Sequence, residues 1–155
     1  MNPSVFFSPE ALELLTRAGW VAGRSDGETV KLPDDVRYPM RVQMILREYG
    51  GLMVRSEGAG TNVGRSSIRF EPWKAQGESS EDGTLGYFSG LIGTKLYPIG
   101  YIPDESLLVC MDESEKVYMA GDYLYWVGNS FVEGISNMLL GIDSKQLDED
   151  TLEWS

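Results

Sequence analysis

Apolar residues recur with helical spacing near the N-terminus. Four of them fall at positions i, i+3, i+4 and i+7, which form one face of a helix: Ala11, Leu14, Leu15 and Ala18. Ser8 is a preferred N-cap residue, Pro9 suits the first helical position, and Gly19 follows the last apolar position. The pattern predicts a first helix that begins after Ser8 and ends before Gly19.

The same spacing predicts three further helices. Residues 39–49 present Val42, Ile45, Leu46 and Tyr49 on one face, and two glycines follow them. A weaker helical pattern, interrupted by glycines, covers residues 85–92. The last helix opens with Ser130 and Glu133 at capping-box spacing and is expected to stop at Gly141.

Between these helices the chain contains short segments rich in β-branched and aromatic residues. Residues 52–55 and 67–70 are separated by a glycine-rich stretch, 57–64, which predicts a long and flexible hairpin loop. Four more segments, residues 96–102, 106–111, 116–120 and 123–127, are joined by short acidic turns. An antiparallel meander is the simplest arrangement of four such strands.

The order of these elements predicts the α+β class. With 155 residues, the chain is long enough to bury a core, and no linker divides it. We expect a single domain over residues 1–142, with a mixed and mainly antiparallel sheet flanked by helices. Residues 143–155 are acidic and are predicted to be a tail that is either frayed or a short helix.

The charge is acidic and unevenly distributed. Residues 1–75 contain ten Lys/Arg and nine Asp/Glu, whereas residues 76–155 contain three and fifteen, so the halves carry +1 and −12 and sum to −11. Such a field repels nucleic acid and anionic membranes and attracts cationic partners. The alternative is that the acidic residues only keep the protein soluble and attract no particular partner.

Residue types that are absent exclude several chemistries. The chain has no histidine and one cysteine, Cys110, which excludes Ser-His-Asp and Cys-His catalysis and thiolate-imidazole zinc sites. Cys110 lies in the apolar run 107–111 and is expected to be a buried thiol rather than a nucleophile. We therefore predict no catalytic residue, no metal and no cofactor, and we expect a non-enzyme.

Three weaker motifs have simpler explanations. Residues 60–67 resemble a phosphate-binding loop but have three residues between the glycines, and Arg65 stands where such loops have lysine. Residues 112–115 lack the ligand spacing of an EF-hand. A pair of carboxylates acting as in glycosidases stays open in principle, but nothing in the sequence places such a pair in an apolar pocket.

The lengths of the apolar runs and the character of residues 1–10 indicate the cellular location of the protein. No apolar run approaches the roughly 20 residues of a membrane-spanning helix, and residues 1–10 lack the features of a secretory signal. A cytoplasmic protein is expected, and its oligomeric state stays open.

Several short motifs occur in a characteristic order along the chain. They are residues 14–20 with Gly23 and Arg24, residues 46–52, residues 68–72, residues 96–100, residues 107–113 with Val117 and Tyr118, Gly128, and residues 135–141. Together, over about residues 6–142, they resemble the third subfamily of the SUKH superfamily of immunity proteins. After the Pro-Ile-Gly motif, where relatives often have an acidic or small polar residue, this chain has Tyr101.

The resemblance implies a cytoplasmic protein that binds and neutralises a cognate toxin domain of a bacterial polymorphic toxin system. A non-toxin regulatory or scaffold module with the same fold is the alternative. Combined with the charge, the resemblance favours a basic toxin domain, for which a nuclease or a deaminase would fit. The residues predicted to bind this partner are six carboxylates in the turns and four aromatic anchors: Asp104, Glu105, Asp112, Glu113, Glu115, Asp122, Tyr101, Tyr123, Tyr125 and Trp126.

Overall fold

An antiparallel sheet runs through the centre of the molecule. The computed structural model describes residues 6–34, 36–78, 83–103 and 105–155. Within them the sheet has seven strands in the order of the sequence. The strands are β1 (Met53–Val54), β2 (Ile68–Arg69), β3 (Tyr97–Ile102), β4 (Leu107–Met111), β5 (Val117–Ala120), β6 (Leu124–Gly128) and β7 (Lys145–Gln146). Every pairing between neighbours is antiparallel, so the predicted meander is confirmed.

Helices flank this sheet, as the sequence predicts. The described helices are α1 (Pro9–Arg17), a 3₁₀ helix (Asp26–Thr29), α2 (Met40–Tyr49), α3 (Pro72–Glu78), α4 (Thr84–Ile92) and α5 (Phe131–Leu140). The predicted caps are confirmed, because the Ser8 and Ser130 side chains accept hydrogen bonds from the backbone N–H groups of Ala11 and Glu133. The 3₁₀ helix and α3 are the two of these that the sequence patterns did not predict.

The strand β4 has buried residues on both of its faces. In β4, Val109 and Met111 pack with α1, α2 and α5 in a first core, whereas Leu108 and Cys110 pack with α3 and α4 in a second core. Successive side chains of a strand point to opposite faces, so a strand covered on both sides is apolar throughout. This explains why the run 107–111 shows no alternation of polar and apolar residues.

The residues after α1 clamp the end of α2. Trp20 stacks on Tyr49 with ring centroids 5.9 Å apart and donates a hydrogen bond of 2.8 Å from its Nε1 to the Glu48 carboxylate. Arg24 donates from Nη1 to the backbone carbonyls of Glu48 and Gly50. Helices leave their last carbonyls unpaired, so these bonds satisfy acceptors at the α2 C-terminus. The segment that follows α1 and the end of α2, which are separate motifs in the sequence, therefore form one structural unit.

The glycine-rich loop joins β1 and β2 in a hairpin, as predicted, but it is docked on α5 rather than flexible. Backbone N–H groups of Thr61, Asn62 and Val63 donate to the carbonyls of Leu140 and Gly141 at the end of α5. The Arg65 side chain donates to the Leu139 carbonyl. The N–H groups of this loop therefore satisfy a helix C-terminus, and they are used in a way unlike those of a phosphate-binding loop.

The tail forms a hairpin, which corrects the prediction that it is frayed or helical. β7 pairs with β6, and the chain then returns so that Gln146 and Ser155 exchange two backbone hydrogen bonds. Leu147 is buried, and the Trp154 ring lies 5.8 Å from Trp126 in an edge-to-face arrangement. Two apolar side chains thus fix an otherwise polar segment against the second core.

Over the residues that the structure describes, no helix has both the length and the hydropathy to cross a bilayer.

Candidate binding surface

The predicted partner-binding residues lie at two opposite ends of the sheet. The turn after β4 carries Asp112, Glu113 and Glu115, and we call this end of the sheet the turn end. The turns before β4 and after β5 carry Glu105 and Asp122 at the other end. The five residues of β4 separate the ends by about 15 Å, at about 3.3 Å per residue. The sequence prediction placed these residues on one partner surface, whereas the fold divides them.

Asp112 at the turn end is used inside the chain. It is 4% exposed, and its Oδ1 accepts hydrogen bonds from the Ser114 N–H, the Ser114 hydroxyl and the Lys116 N–H. Its Oδ2 accepts a bond of 3.0 Å from the Tyr118 hydroxyl, and burial together with this carboxylate raises the pKa of Tyr118. Asp112 holds the turn together rather than facing solvent.

Glu115 is held in an unusual backbone conformation beside a groove. Its φ is 75°, in the left-handed region that favours glycine, and its carboxylate lies 2.6 Å from Arg41 Nη1. A groove of about 860 Å³ lies next to this pair, between α2 and the start of α5. We call it the helix groove. Its lining is Arg41, Met44, Ile45, Glu48, Tyr49, Glu115 and Asn129–Glu133.

The four predicted aromatic anchors differ in exposure. Tyr101 is 6% exposed in the second core, and Trp126 is partly covered by Trp154. Tyr125 is half-buried, and Tyr123 is 48% exposed. Asp104 lies outside the described residues, whereas Glu105, Glu113 and Asp122 are exposed.

A second groove, of about 720 Å³, lies at the end opposite the turn end, and we call this end the tail end. The groove, which we call the tail groove, is lined by Tyr87, Tyr123, Gln146, Leu147, Asp148, Glu149, Asp150 and Ser155. The Leu147 N–H donates to the Leu124 carbonyl, which brings the tail beside the turn that carries Asp122 and Tyr123. Of these lining residues, sequence reasoning identified Tyr123 alone. The three consecutive acids 148–150 are a visible signal in the sequence, but the tail pattern predicts a frayed segment or a short helix and no binding site.

Tyr87 and Glu149 join the two walls of the tail groove. Tyr87 belongs to α4, is 55% exposed, and donates its hydroxyl hydrogen to the Glu149 carboxylate. The bond to Glu149, followed by desolvation and the charges of Glu149 and Asp150, raises the pKa of the Tyr87 phenol. The Tyr87 and Phe88 rings form a T-shaped pair with centroids 5.2 Å apart. The groove therefore combines an exposed aromatic ring with a negative field.

Cys110 is fully buried as predicted, and burial raises the pKa of its thiol, which keeps it protonated and unreactive. Among the residues that the structure describes, no three of Cys, Asp and Glu are grouped so as to hold a metal ion.

A meander covered on both faces by helices, with grooves at its two ends, defines a single-domain α+β protein. The model of the SUKH-3 immunity protein family matches residues 7–141, and the chain therefore belongs to this family. No curated protein and no solved structure matches the chain. The matched range stops before β7, so most of the tail groove lies outside it.

Proposed function

We propose that this chain is a cytoplasmic immunity protein of a bacterial polymorphic toxin system. In this proposal it binds the basic domain of one cognate toxin and blocks it by covering its surface. It acts by binding and not as an enzyme, and it binds neither nucleic acid nor membranes. Membership of the SUKH-3 immunity protein family supports the general role.

The tail groove is the observation that carries the proposal of a basic partner. Three consecutive carboxylates and two exposed tyrosines line it, and no Lys or Arg is among its described lining residues. Carboxylates that lack a nearby cation keep their field available for an approaching protein. Such fields raise association rates, whereas aromatic contacts in the centre of an interface set the dissociation rate.

The alternative docking surface is the helix groove, which is larger and more apolar. Three of its four charged lining residues already have partners, since Glu115 pairs with Arg41 and Glu48 accepts from Trp20; the fourth is Glu133. A partner docking there would have to displace or accommodate these contacts. We therefore place the toxin contact at the tail end. Asp122 and Tyr123 of the predicted set contribute to it, with Glu105 in the adjacent turn.

Co-expression in bacteria tests this function. The C-terminal domain encoded by the adjacent gene is the probe. It is expressed with and without this chain, and the survival of the bacteria is measured. We expect protection together with a one-to-one complex that survives size-exclusion chromatography. Toxicity that this chain does not relieve, with no complex formed, would refute the proposal. A nuclease or a deaminase is the expected toxin class, because a basic surface suits a nucleic-acid substrate.

A further inference from the structure

The tail groove has the features of a receptor for one type of side chain. Tyr87 and Tyr123, from α4 and the turn after β5, are 55% and 48% exposed and line the same groove. Glu149 and Asp150 line it as well, from the tail hairpin. Exposed tyrosine rings beside carboxylates offer both a flat apolar face and negative charge. This combination fits a cation that is itself flat.

The carboxylates of this groove have different tasks. Asp148 accepts from the backbone N–H groups of Asp150 and Thr151, so it caps its own turn. Glu149 accepts from the Tyr87 hydroxyl, and a carboxylate that accepts one such bond retains further acceptor capacity. Asp150 is exposed. Glu149 and Asp150 are therefore the two carboxylates suited to bind an incoming cation.

The hairpin that presents these carboxylates is rigid. Gln146 and Ser155 exchange two backbone hydrogen bonds, and the Asp148 N–H donates to the Glu153 carbonyl at 2.8 Å. Trp154 packs against Trp126 and Tyr118, with ring centroids 5.8 and 5.9 Å apart. Groups held in place before binding lose little conformational entropy on binding.

From these observations we infer that the tail groove binds an arginine side chain of the cationic partner, with the guanidinium stacked on the tyrosines and paired with Glu149 and Asp150. Arginine fits better than lysine because its planar group stacks on aromatic rings and meets carboxylates with two parallel hydrogen bonds. The groove, at about 720 Å³, also has room for the backbone that carries this arginine.

The position of the groove in the sequence makes it a specificity element. Six of its eight described lining residues belong to the segment 146–155, beyond the range 7–141 that the family model matches. Tyr87 and Tyr123 lie within the matched range, and the hairpin beyond it supplies the carboxylates. The inference rests on the proposed function, since it identifies the part of the toxin contact that lies beyond the matched range.

A peptide titration tests the arginine preference without the toxin. The ¹⁵N-labelled chain is titrated with acetyl-Gly-Arg-Gly-amide, with the lysine analogue, and with the neutral citrulline analogue. We expect saturable amide shifts at residues 87, 123 and 146–150 with the arginine peptide, binding about threefold weaker with lysine, and no shifts with citrulline. Equal affinity for arginine and lysine, or shifts centred on the helix groove, would overturn the inference.

Two substitutions with matched controls locate the contacts. Tyr123→Ala is compared with Trp73→Ala, which removes an aromatic ring of similar exposure, 44%, from another surface. Asp150→Asn is compared with Glu113→Gln, the same charge change at the turn end. We expect about fivefold weaker peptide binding for each groove variant and no change for its control. Unchanged binding in both groove variants, with unchanged melting temperatures, would remove these side chains from the receptor.

Binding measurements with the toxin domain distinguish a failure of this inference from a failure of the proposed function. Loss of affinity in the groove variants, with the controls unaffected, supports both. If the wild-type chain binds and protects while the groove variants bind equally well, the arginine receptor is wrong and the proposed function stands. If the peptide binds as expected but no toxin domain does, the proposed function is wrong.

Discussion

At the turn end of the sheet, Asp112 is 4% exposed and accepts four hydrogen bonds, whereas at the tail end Asp150 is exposed and lines a groove. Both residues belong to the acidic half of the sequence and look equivalent there. The difference is that the first carboxylate satisfies donors of its own turn, and the second lies beside exposed aromatic rings. Charge along the sequence therefore does not tell a structural carboxylate from one that is available to a partner.

The turn end and the tail end also differ in the Lys and Arg side chains that lie near their carboxylates. At the turn end, Arg41 reaches Glu115, so part of the local negative charge is compensated within the chain. At the tail end, no Lys or Arg is among the described residues that line the groove. A cationic protein thus meets a stronger net field at the tail end. Substitution of Asp112 should then mainly lower stability, whereas substitution of Asp150 should mainly weaken binding.

The largest expected effect is that of Asp112→Ala. The substitution leaves the buried turn donors and the Tyr118 hydroxyl without their acceptor, and each unsatisfied group costs about 1–3 kcal/mol. We expect the free energy of unfolding to fall by about 2–4 kcal/mol in urea titrations. The neighbouring Glu113→Ala serves as control and should change it by less than about 0.5 kcal/mol. Similar losses in both variants would mean that Asp112 has no special role in the turn.

Trp154→Ala should have the next largest effect, at the tail end. It removes the ring that packs on Trp126 and Tyr118, and we expect a loss of about 1–3 kcal/mol in unfolding free energy. Hydrogen exchange at the Gln146 amide, which donates to Ser155, should become faster because the hairpin opens more often. Leu152→Ala, at a residue that is 48% exposed, is the control. Unchanged exchange at Gln146 would show that the backbone bonds alone hold the hairpin.

Charge reversal at each end compares the two regions directly in binding. Asp150→Lys should slow association with the toxin domain by about three- to tenfold at low salt, and Glu113→Lys by less than about twofold. Both variants change the net charge by the same amount, so a difference between them reports position rather than total charge. Stopped-flow kinetics at two salt concentrations provide the measurement. If both variants slow association equally, the net charge of the whole molecule sets the association rate, and the carboxylates of the tail end have no special role.

The smallest expected effect concerns the backbone of Glu115. Glycine adopts its φ of 75° without the steric cost that an L side chain has there. Glu115→Gly and Glu115→Ala both lose the ion pair with Arg41, and we expect the glycine variant to be more stable by about 1 kcal/mol. Urea unfolding of both variants provides the comparison. An alanine variant as stable as the glycine variant would mean that the turn relaxes away from this conformation.

Much of the fold was predictable because its signals are local. Ser8 and Ser130 mark helix starts through bonds to residues three positions later, and the acidic turns between β3 and β6 separate short β-rich segments. The helix α3 and the tail hairpin were missed. The hairpin depends on Leu147 and Trp154 meeting the second core, which is built from residues far away in the sequence. No local pattern reports such a contact.

The candidate site was less predictable than the fold. The sequence identified Tyr123 and Asp122 near the tail groove, but it missed Tyr87, which comes from α4. It also placed Asp112 and Tyr101 on the partner surface, whereas both are buried in the folded chain. Exposure depends on which face of the sheet a residue occupies and on what covers that face, and both are long-range properties.

The sequence by itself determined the class of the fold, the family resemblance and the sign of the field, because residue order, helix caps and total charge do not depend on how the elements pack. The tertiary structure alone decided where that charge is available. Antiparallel strands send successive turns to opposite ends of the sheet, so residues only seven apart, such as Glu105 and Asp112, belong to turns at different ends. The hairpin after the matched region then adds its carboxylates to one of those ends.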